Sequence, residues 1–331
     1  MKKKSLFYAI LCMGLLCACD KDEEVIPPVV ETPDEPDEPE VEPSVEHITR
    51  IQVEGQTLII GGDEWKGMAY GNGKYVAVGD SNRVACSTDG ETWEFASTYA
   101  SKIDWTAVMY DEVNKYFIGC GANNRICYTD EENLDKWAIL NTNSGSNWSD
   151  ILFYPHDKHV ALVLSQNKYA ALYLSSWPDE EEPAVIWETP VPYGGGYVPE
   201  FGNTLKGKKI AKGLTDTELV HISDRSVKWG NLSEVYHEMY FSDREDVYLN
   251  DVACGNEKYV AVGKAGKIFV IGKAPEYEVT EQTVGEKDWN AVLFKEGRFI
   301  ALGDEGTVAT SVDGEQWNVQ KVSDWNLHAA V

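Results

Sequence analysis

Positive charge is scarce. Against 55 aspartates and glutamates the 331 residues carry 29 lysines and arginines, a net charge of −26. Nucleic acid and anionic membrane surfaces are poor partners for such a chain, since both are held by basic patches. Long apolar runs are missing as well: the run "LFYAILCMGLL" from Leu6 to Leu16 is too short to span a bilayer as a helix. There is no C-x-x-C pair and no histidine at zinc spacing, so no metal and no cofactor is expected. No Ser/His/Asp or Cys/His signature of nucleophilic catalysis occurs. No segment sustains a helical period, which leaves strands to build the fold.

The first residues are a targeting segment by pattern. Lys2, Lys3 and Lys4 precede the apolar run, and "LCAC" ends at Cys19. This resembles a bacterial lipoprotein signal over residues 1–18. The resemblance implies a mature N-terminus at Cys19 carrying several acyl chains, palmitate among them, and hence stable anchoring. A plain secretory signal cut near Ala18 is the alternative. Residues 19–46 follow as an acidic, proline-rich tether, holding six of the 13 prolines and a net charge of −11. Such a stretch cannot bury a core and self-repels, so at ~3 Å per residue it reaches roughly 80 Å. Acids directly after the cysteine look like the export signal of outer-membrane lipoproteins that face the cell exterior. An ordinary solvated spacer is the other reading.

Residues 47–331 form the folded domain and contain a repeat. "WKGMAYGNGKYVAVGDSNRVACSTDGETWEF" starts at Trp65, "WTAVMYDEVNKYFIGCGANNRICYTD" at Trp105 and "WSDILFYPHDKHVALVLS" at Trp148. "LNDVACGNEKYVAVGKAGKIFVIG" starts at Leu249 and "WNAVLFKEGRFIALGDEGTVATSVDGEQWNV" at Trp289. A worn copy with "KKIAKGL" and "SDRSVKW" lies between Lys208 and Trp229. A period of roughly 40–50 residues is that of propeller blades. Each copy reads as four short strands of β-branched and aromatic residues, separated by Gly, Asn and Asp. Such a unit cannot bury both faces alone, and stacking in a closed ring solves that problem.

Ten of the eleven tryptophans keep the register. Trp65, Trp105, Trp148, Trp289 and Trp325 are expected to open first strands. Trp93, Trp137, Trp187, Trp229 and Trp317 are expected to open fourth strands, and Trp177 falls outside. The chain ends in a lone first strand, Trp325–Val331, and begins with two strands, Thr49–Ile60, that lack one. The expected fold is therefore an all-β propeller of four-stranded antiparallel blades. Seven blades are expected, the seventh three-stranded and made from both termini; six blades with an added strand is the alternative. Cys86, Cys120, Cys127 and Cys254 sit in apolar strand-like runs and read as packing residues, with a Cys120–Cys127 hairpin disulfide left open.

Two turns share the pattern S-x-D-G-x-x-W: Ser87, Asp89, Gly90 and Trp93, and again Ser311, Asp313, Gly314 and Trp317. The pattern resembles a shortened Asp-box, or BNR, repeat, found in sialidases, photosystem assembly factors and many bacterial propellers. The likeness covers about residues 65 to 331. It implies that the aspartates are elements of the fold. The residues say the same: a carboxylate accepts hydrogen bonds from its own turn, and the glycine supplies a positive φ. A third match is read at Ser223–Trp229, with its acid moved to Asp224. A sialidase also needs three arginines around the substrate carboxylate, one in an R-I-P phrase. The chain lacks that phrase and has six arginines, of which Arg83 and Arg125 occupy matching repeat positions.

Candidate binding residues come from two places. Acids precede opening tryptophans at Glu64, Asp104, Asp288 and Asp324, with Asn147 before Trp148. These would ring the channel mouth, either as a ligand site or simply as soluble strand entries. Two connections also exceed the repeat, Ser175–Glu200 and Gly230–Tyr248. Their aromatic residues, Tyr193, Tyr197, Tyr236, His237, Tyr240 and Phe241, suit a sugar ring or a protein partner. The expected function is non-catalytic binding of a glycan or an envelope protein at the cell surface. The alternatives are a carbohydrate-active enzyme (glycoside hydrolase or lyase) with upper-face carboxylates, and an assembly or scaffold factor.

Overall fold

Each repeat copy forms one antiparallel sheet in a computed structural model. It describes residues 45–96, 103–123, 125–141, 147–153, 160–165, 169–173, 207–215, 218–231, 235–273 and 277–331. Cys19, the tether to residue 44, Trp177, Trp187, Tyr193 and Tyr197 lie outside the described residues. One compact unit spans Ser44–Val331.

A hairpin of β1 (Ile48–Val53) and β2 (Gln56–Gly62) comes first. Blade one holds β3 (Trp65–Gly71), β4 (Lys74–Gly79), β5 (Val84–Ser87) and β6 (Glu94–Phe95). Blade two holds β7 (Trp105–Asp111), β8 (Tyr116–Gly121), β9 (Arg125–Asp130) and β10 (Ala138–Asn141). Blade three shows β11 (Asp150–Phe153), β12 (Val160–Leu164) and β13 (Tyr169–Tyr173). Blade four holds β14 (Lys209–Lys212), β15 (Glu218–Ser223), β16 (Ser226–Asn231) and β17 (Val235–Tyr240). Blade five holds β18 (Leu249–Gly255), β19 (Lys258–Gly263), β20 (Lys267–Gly272) and β21 (Val279–Thr283). Blade six holds β22 (Trp289–Lys295), β23 (Arg298–Gly303), β24 (Thr307–Ser311) and β25 (Asn318–Lys321). The last strand, β26 (Leu327–Ala330), pairs with β2, so the seventh sheet runs β1-β2-β26 and joins the two ends of the domain.

The first strands β3, β7, β11, β14, β18, β22 and β26 each pack against the next, and β26 returns to β3. The ring is therefore a closed seven-bladed β-propeller. Its cores lie between blades. Ala107 and Ile118 of blade two pack with Trp148, Ile151 and Ala161 at blade three. Val220 and Trp229 of blade four pack with Val252 and Tyr259 of blade five. Trp65, Trp105, Trp148 and Trp289 are wholly buried wedges. Burying a large apolar side chain contributes about 1.5–3 kcal/mol, and no single blade has a face on which to do it.

In five of the seven blades the second strand ends in a glycine, and a close approach dictates it. A Cβ on Gly79, Gly121, Gly263, Gly303 or Gly62 would lie between 2.0 and 2.6 Å from the carbonyl oxygen of Glu64, Asp104, Tyr248, Asp288 or Asn326, respectively. The same carbonyls accept the next N–H, from Asp80, Ala122, Lys264, Asp304 and Asp63, at 2.8–3.0 Å. Only a bare Cα lets the second strand and the incoming first strand meet there.

This register corrects two expectations. Gly62 pairs with Leu327 as Gly79 pairs with Trp65, so Leu327 opens the closing strand and Trp325 stands two residues early. Trp229 lies inside the third strand of blade four, opposite Val220, rather than before its fourth. Ser223–Trp229 is thus a β15–β16 hairpin and not a third copy of the S-x-D-G turn. The stretch Gly230–Tyr248 is likewise no long loop, because it contains β17. Cys86, Cys120, Cys127 and Cys254 have free thiols. Cys120 packs toward blade three and Cys127 toward blade one, on opposite sheet faces, which rules out the hairpin bridge.

Gly79→Ala should lower unfolding free energy by about 1–3 kcal/mol, the range for overpacking. Gly272→Ala, where the added methyl would come no nearer than 3.6 Å to a neighbour, should be nearly neutral. Urea denaturation followed by tryptophan fluorescence distinguishes the two.

Candidate functional site

The S-x-D-G turns are closed by their own groups. Asp89 Oδ1 accepts the N–H of Glu91 and of Thr92 at 2.8 Å and the Ser87 hydroxyl at 2.9 Å. Ser87 Oγ in turn accepts the Gly90 N–H at 2.8 Å. Asp313 and Ser311 repeat this with Glu315, Gln316 and Gly314 at 2.8–3.0 Å. Gly90 and Gly314 sit at φ +71° and +75°. Backbone donors favour the ionised form, so both carboxyls are held below the usual carboxylate range. Trp93, Trp137 and Trp317 directly precede the fourth strands, and Trp317 Nε1 donates to Gly314 O at 2.9 Å.

Antiparallel pairing puts the second-to-third turns and the connections between blades on one face, the upper face. The acids expected to ring the channel there are structural staples. Asp104 Oδ1 accepts the Ser81 N–H at 3.0 Å, and Asp288 Oδ1 accepts the Ala265 N–H at 2.8 Å. Asn147 and Asn326 do the same for Asn123 and Glu305, both at 3.0 Å. All four donors sit at left-handed φ, between +53° and +57°. Each staple pins one blade's turn to the next blade's entry. Glu64 instead accepts a 3.0 Å hydrogen bond from His47 and lies 3.9 Å from Arg83. Burial raises its pKa, but the His47 hydrogen bond and the nearby charges outweigh that and lower it. Asp324 is not part of the ring: it is exposed and pairs with Lys321 at 2.7 Å. Its expected place belongs to Asn326, for the same two-residue shift that displaced Trp325.

Below the staples, a second ring of bonds crosses the blade boundaries. Thr106 donates to Trp148 O, Ser149 to Gly207 O, Lys208 to Leu249 O, Asn250 to Trp289 O and Asn290 to Leu327 O, at 2.8–3.1 Å. One residue further along, the first strands carry Gly67, Ala107, Asp150, Lys209, Asp251, Ala291 and Ala329. This position is thus charged on blades three to five and small elsewhere. Lys209 Nζ lies 3.7 Å from Asp150. Asp150 accepts the Ile210 N–H at 2.9 Å and Asp251 the Val292 N–H at 2.8 Å, each from the following blade. Burial raises both carboxyl pKa values, that of Asp251 to about 6. Burial also works against the Lys209 ammonium, but Asp150 and Asp251 outweigh it and hold its pKa above the lysine range.

The aromatic candidates separate. Trp148 is wholly buried between blades two and three and cannot stack on a ligand. Tyr236 lies on β17 opposite Gly230. His237, on the same strand, stacks on Trp229 at 5.7 Å and Tyr277 at 4.3 Å, a packing role between blades four and five. Phe241 packs on Phe269 at 4.6 Å. Tyr240 alone of these lines an upper-face cavity, about 510 Å³ in volume, where it is 64% exposed. Lys208, Ser223, Asp224, Arg225 and Tyr248 are its other polar lining residues among those described. Lys208 and Lys264 place their ammoniums 4.3 and 4.6 Å from the Tyr248 ring centroid. Beside Tyr240, none of these cavity residues was read from sequence as a ligand contact; Asp224 entered only as the acid of a repeat turn. The usable signal was departure from the repeat: "WSD" and "LND" where other copies read "WKG", "WTA" and "WNA", and the tandem Lys208–Lys209 before the worn copy.

The raised Asp251 pKa sets a sign for pH dependence. The folded state holds this proton more tightly than the unfolded chain, so stability falls as pH rises from about 4 to about 6. The slope is at most about 1.4 kcal/mol per pH unit. Asp251→Asn should flatten it and raise the thermal midpoint at pH 7.5 more than at pH 4.5. Melting curves of the variant and parent across this range check the sign.

No family model matches the chain, and no curated protein does. Among solved structures, one described as YCF48 bound to D1 peptide matches with a TM-score of 0.57 at 13% identity, covering 82% of this chain and 84% of that one. The WD40 β-propeller domain of Doa1 matches with a TM-score of 0.57 at 13% identity, covering 81% and 86%. At these identities the likeness is one of fold, and both neighbours share the propeller described above.

Proposed function

We propose that the chain is a non-catalytic binding propeller that holds a partner polypeptide on its upper face, at blades four and five. The observation that carries this reading is the 510 Å³ cavity beside exposed Tyr240, placed where the sequence repeat is most worn. Binding concentrates where a rigid scaffold carries irregular surface. One solved neighbour is a propeller bound to a peptide, which supports a polypeptide partner over other ligand classes. Among the described residues Asp224 is the single acid lining the cavity, whereas hydrolysis of a glycosidic bond asks for two carboxyls about 5–10 Å apart. Asp104 and Asp288 are already committed to backbone N–H groups. In this reading Cys19 carries the lipid, and residues 19–46 hold the propeller off the outer membrane toward the exterior.

The test uses the full chain purified in detergent, screened on peptide and glycan arrays and then measured in solution. Peptide binding is expected, with a loss of about tenfold in Tyr240→Ala. Binding confined to glycans would replace the polypeptide by a sugar. Turnover of any bound ligand would overturn the non-catalytic reading.

A further inference from the structure

The cavity at blades four and five is cationic on an otherwise anionic domain. Residues 47–331 carry a net charge of −18. Screening confines that field to about 8 Å at physiological salt, so a ligand in the cavity feels mainly the groups around it. Among the described residues Lys208 and Arg225 line the cavity with one acid, Asp224, and Lys264 lies against the ring of Tyr248, another lining residue. Lys208 is fully engaged: its Nζ reaches Leu249 O and Asn250 Oδ1 at 3.1 Å and Asp224 at 3.5 Å. Arg225 and Lys264 differ. Among the described residues neither charged group meets a carboxylate, although acids outnumber bases almost two to one along the chain. Lys264 and Lys209 also repel Lys208, and Asp224 is the counter-charge that Lys208 already uses.

The cavity is held rigidly. The turn bearing Asp224 and Arg225 is fixed on both sides, by Leu249 N–H donating to Asp224 O and Phe241 N–H to Arg225 O, each at 2.9 Å. The hydroxyls of Ser223 and Ser226 bond at 2.8 Å and close the hairpin. The backbone that carries Arg225 is therefore set in place before a ligand arrives, which lowers the cost of ordering it on binding. Tyr248 has two ammoniums over its ring, which leaves Tyr240 as the open aromatic face of the cavity among the described residues. That suits a flexible carboxylate better than a pyranose, which binds best between two flat walls.

From this we infer that the cavity recognises a carboxylate, presented by an acidic segment of the partner polypeptide and held by Arg225 and Lys264. The inference rests on the binding function proposed above and names the chemistry of its ligand.

Fluorescence anisotropy of labelled hexaglutamate and hexaglutamine with the full chain, at about 0.15 M salt, tests it. Hexaglutamate should bind about tenfold more tightly than hexaglutamine. Arg225→Gln and Lys264→Gln should each remove most of that preference, with unchanged melting curves. Lys287→Gln should retain it, since Lys287 is already paired with Glu305. Equal binding of the two peptides overturns the inference, and the Tyr240-dependent array signal then shows whether the binding function itself survives. A preference that persists in both Gln variants overturns the site. Displacement of hexaglutamate by a lower concentration of oligoglucuronate overturns the polypeptide source.

Discussion

The molecule depends on one close approach, repeated around the ring. At the end of five of the seven second strands a backbone without a side chain lies against the carbonyl that precedes the same blade's first strand. That contact fixes where a blade's inner strands stop, and the N–H following the glycine locks it. From this point every other repeated feature takes its place. The residue before the opener turns its side chain back to staple the preceding turn. The opener itself drives between blades, and the residue after it reaches across to the neighbouring first strand. Acids that look like a ligand site from sequence are thereby absorbed into the frame.

The frame is uniform and the chemistry it carries is lopsided. Glycine and alanine line four blades at the level where Asp150, Lys209 and Asp251 line three. Above that charged arc lies the cavity with Lys208, Arg225, Lys264 and Tyr248. Both sets collect on the same side of the ring, beside the copy whose repeat phrase is most degraded. A scaffold whose repeated positions are spent on closure leaves its unrepeated positions for recognition. The separation between the two is visible along the first strands.

Much of the fold was legible because its constraint is local. Trp65, Trp105 and Trp289 stand next to the residues that need them, and Gly79, Gly121, Gly263 and Gly303 mark the strand ends. Errors arose where a different residue met the same need. Leu327 fills the opener's place in the closing strand, while "SDW" two residues earlier imitates the pattern. Trp229 imitated a fourth-strand tryptophan from within a third strand, which hid β17 and turned Tyr236, His237 and Tyr240 into loop residues. The cavity was harder to read. It is assembled from residues near 208, 225, 240, 248 and 264, and only the ring geometry brings them together. No short-range pattern encodes that meeting.

The seventh blade has a mechanical consequence. Any pull on the chain ahead of residue 45 reaches the ring through Glu46 and His47. There Trp65 Nε1 grips Glu46 O at 2.8 Å, and the Gly62 N–H grips His47 O at 3.0 Å. Those two bonds bear the load before the β1–β2 hairpin can begin to unzip. Blade four lies across the ring from this point of attachment. A partner held there and a force on the N-terminus would therefore strain the propeller along its diameter. The strand from the C-terminus, sewn between β2 and blade six, is the latch that resists its opening.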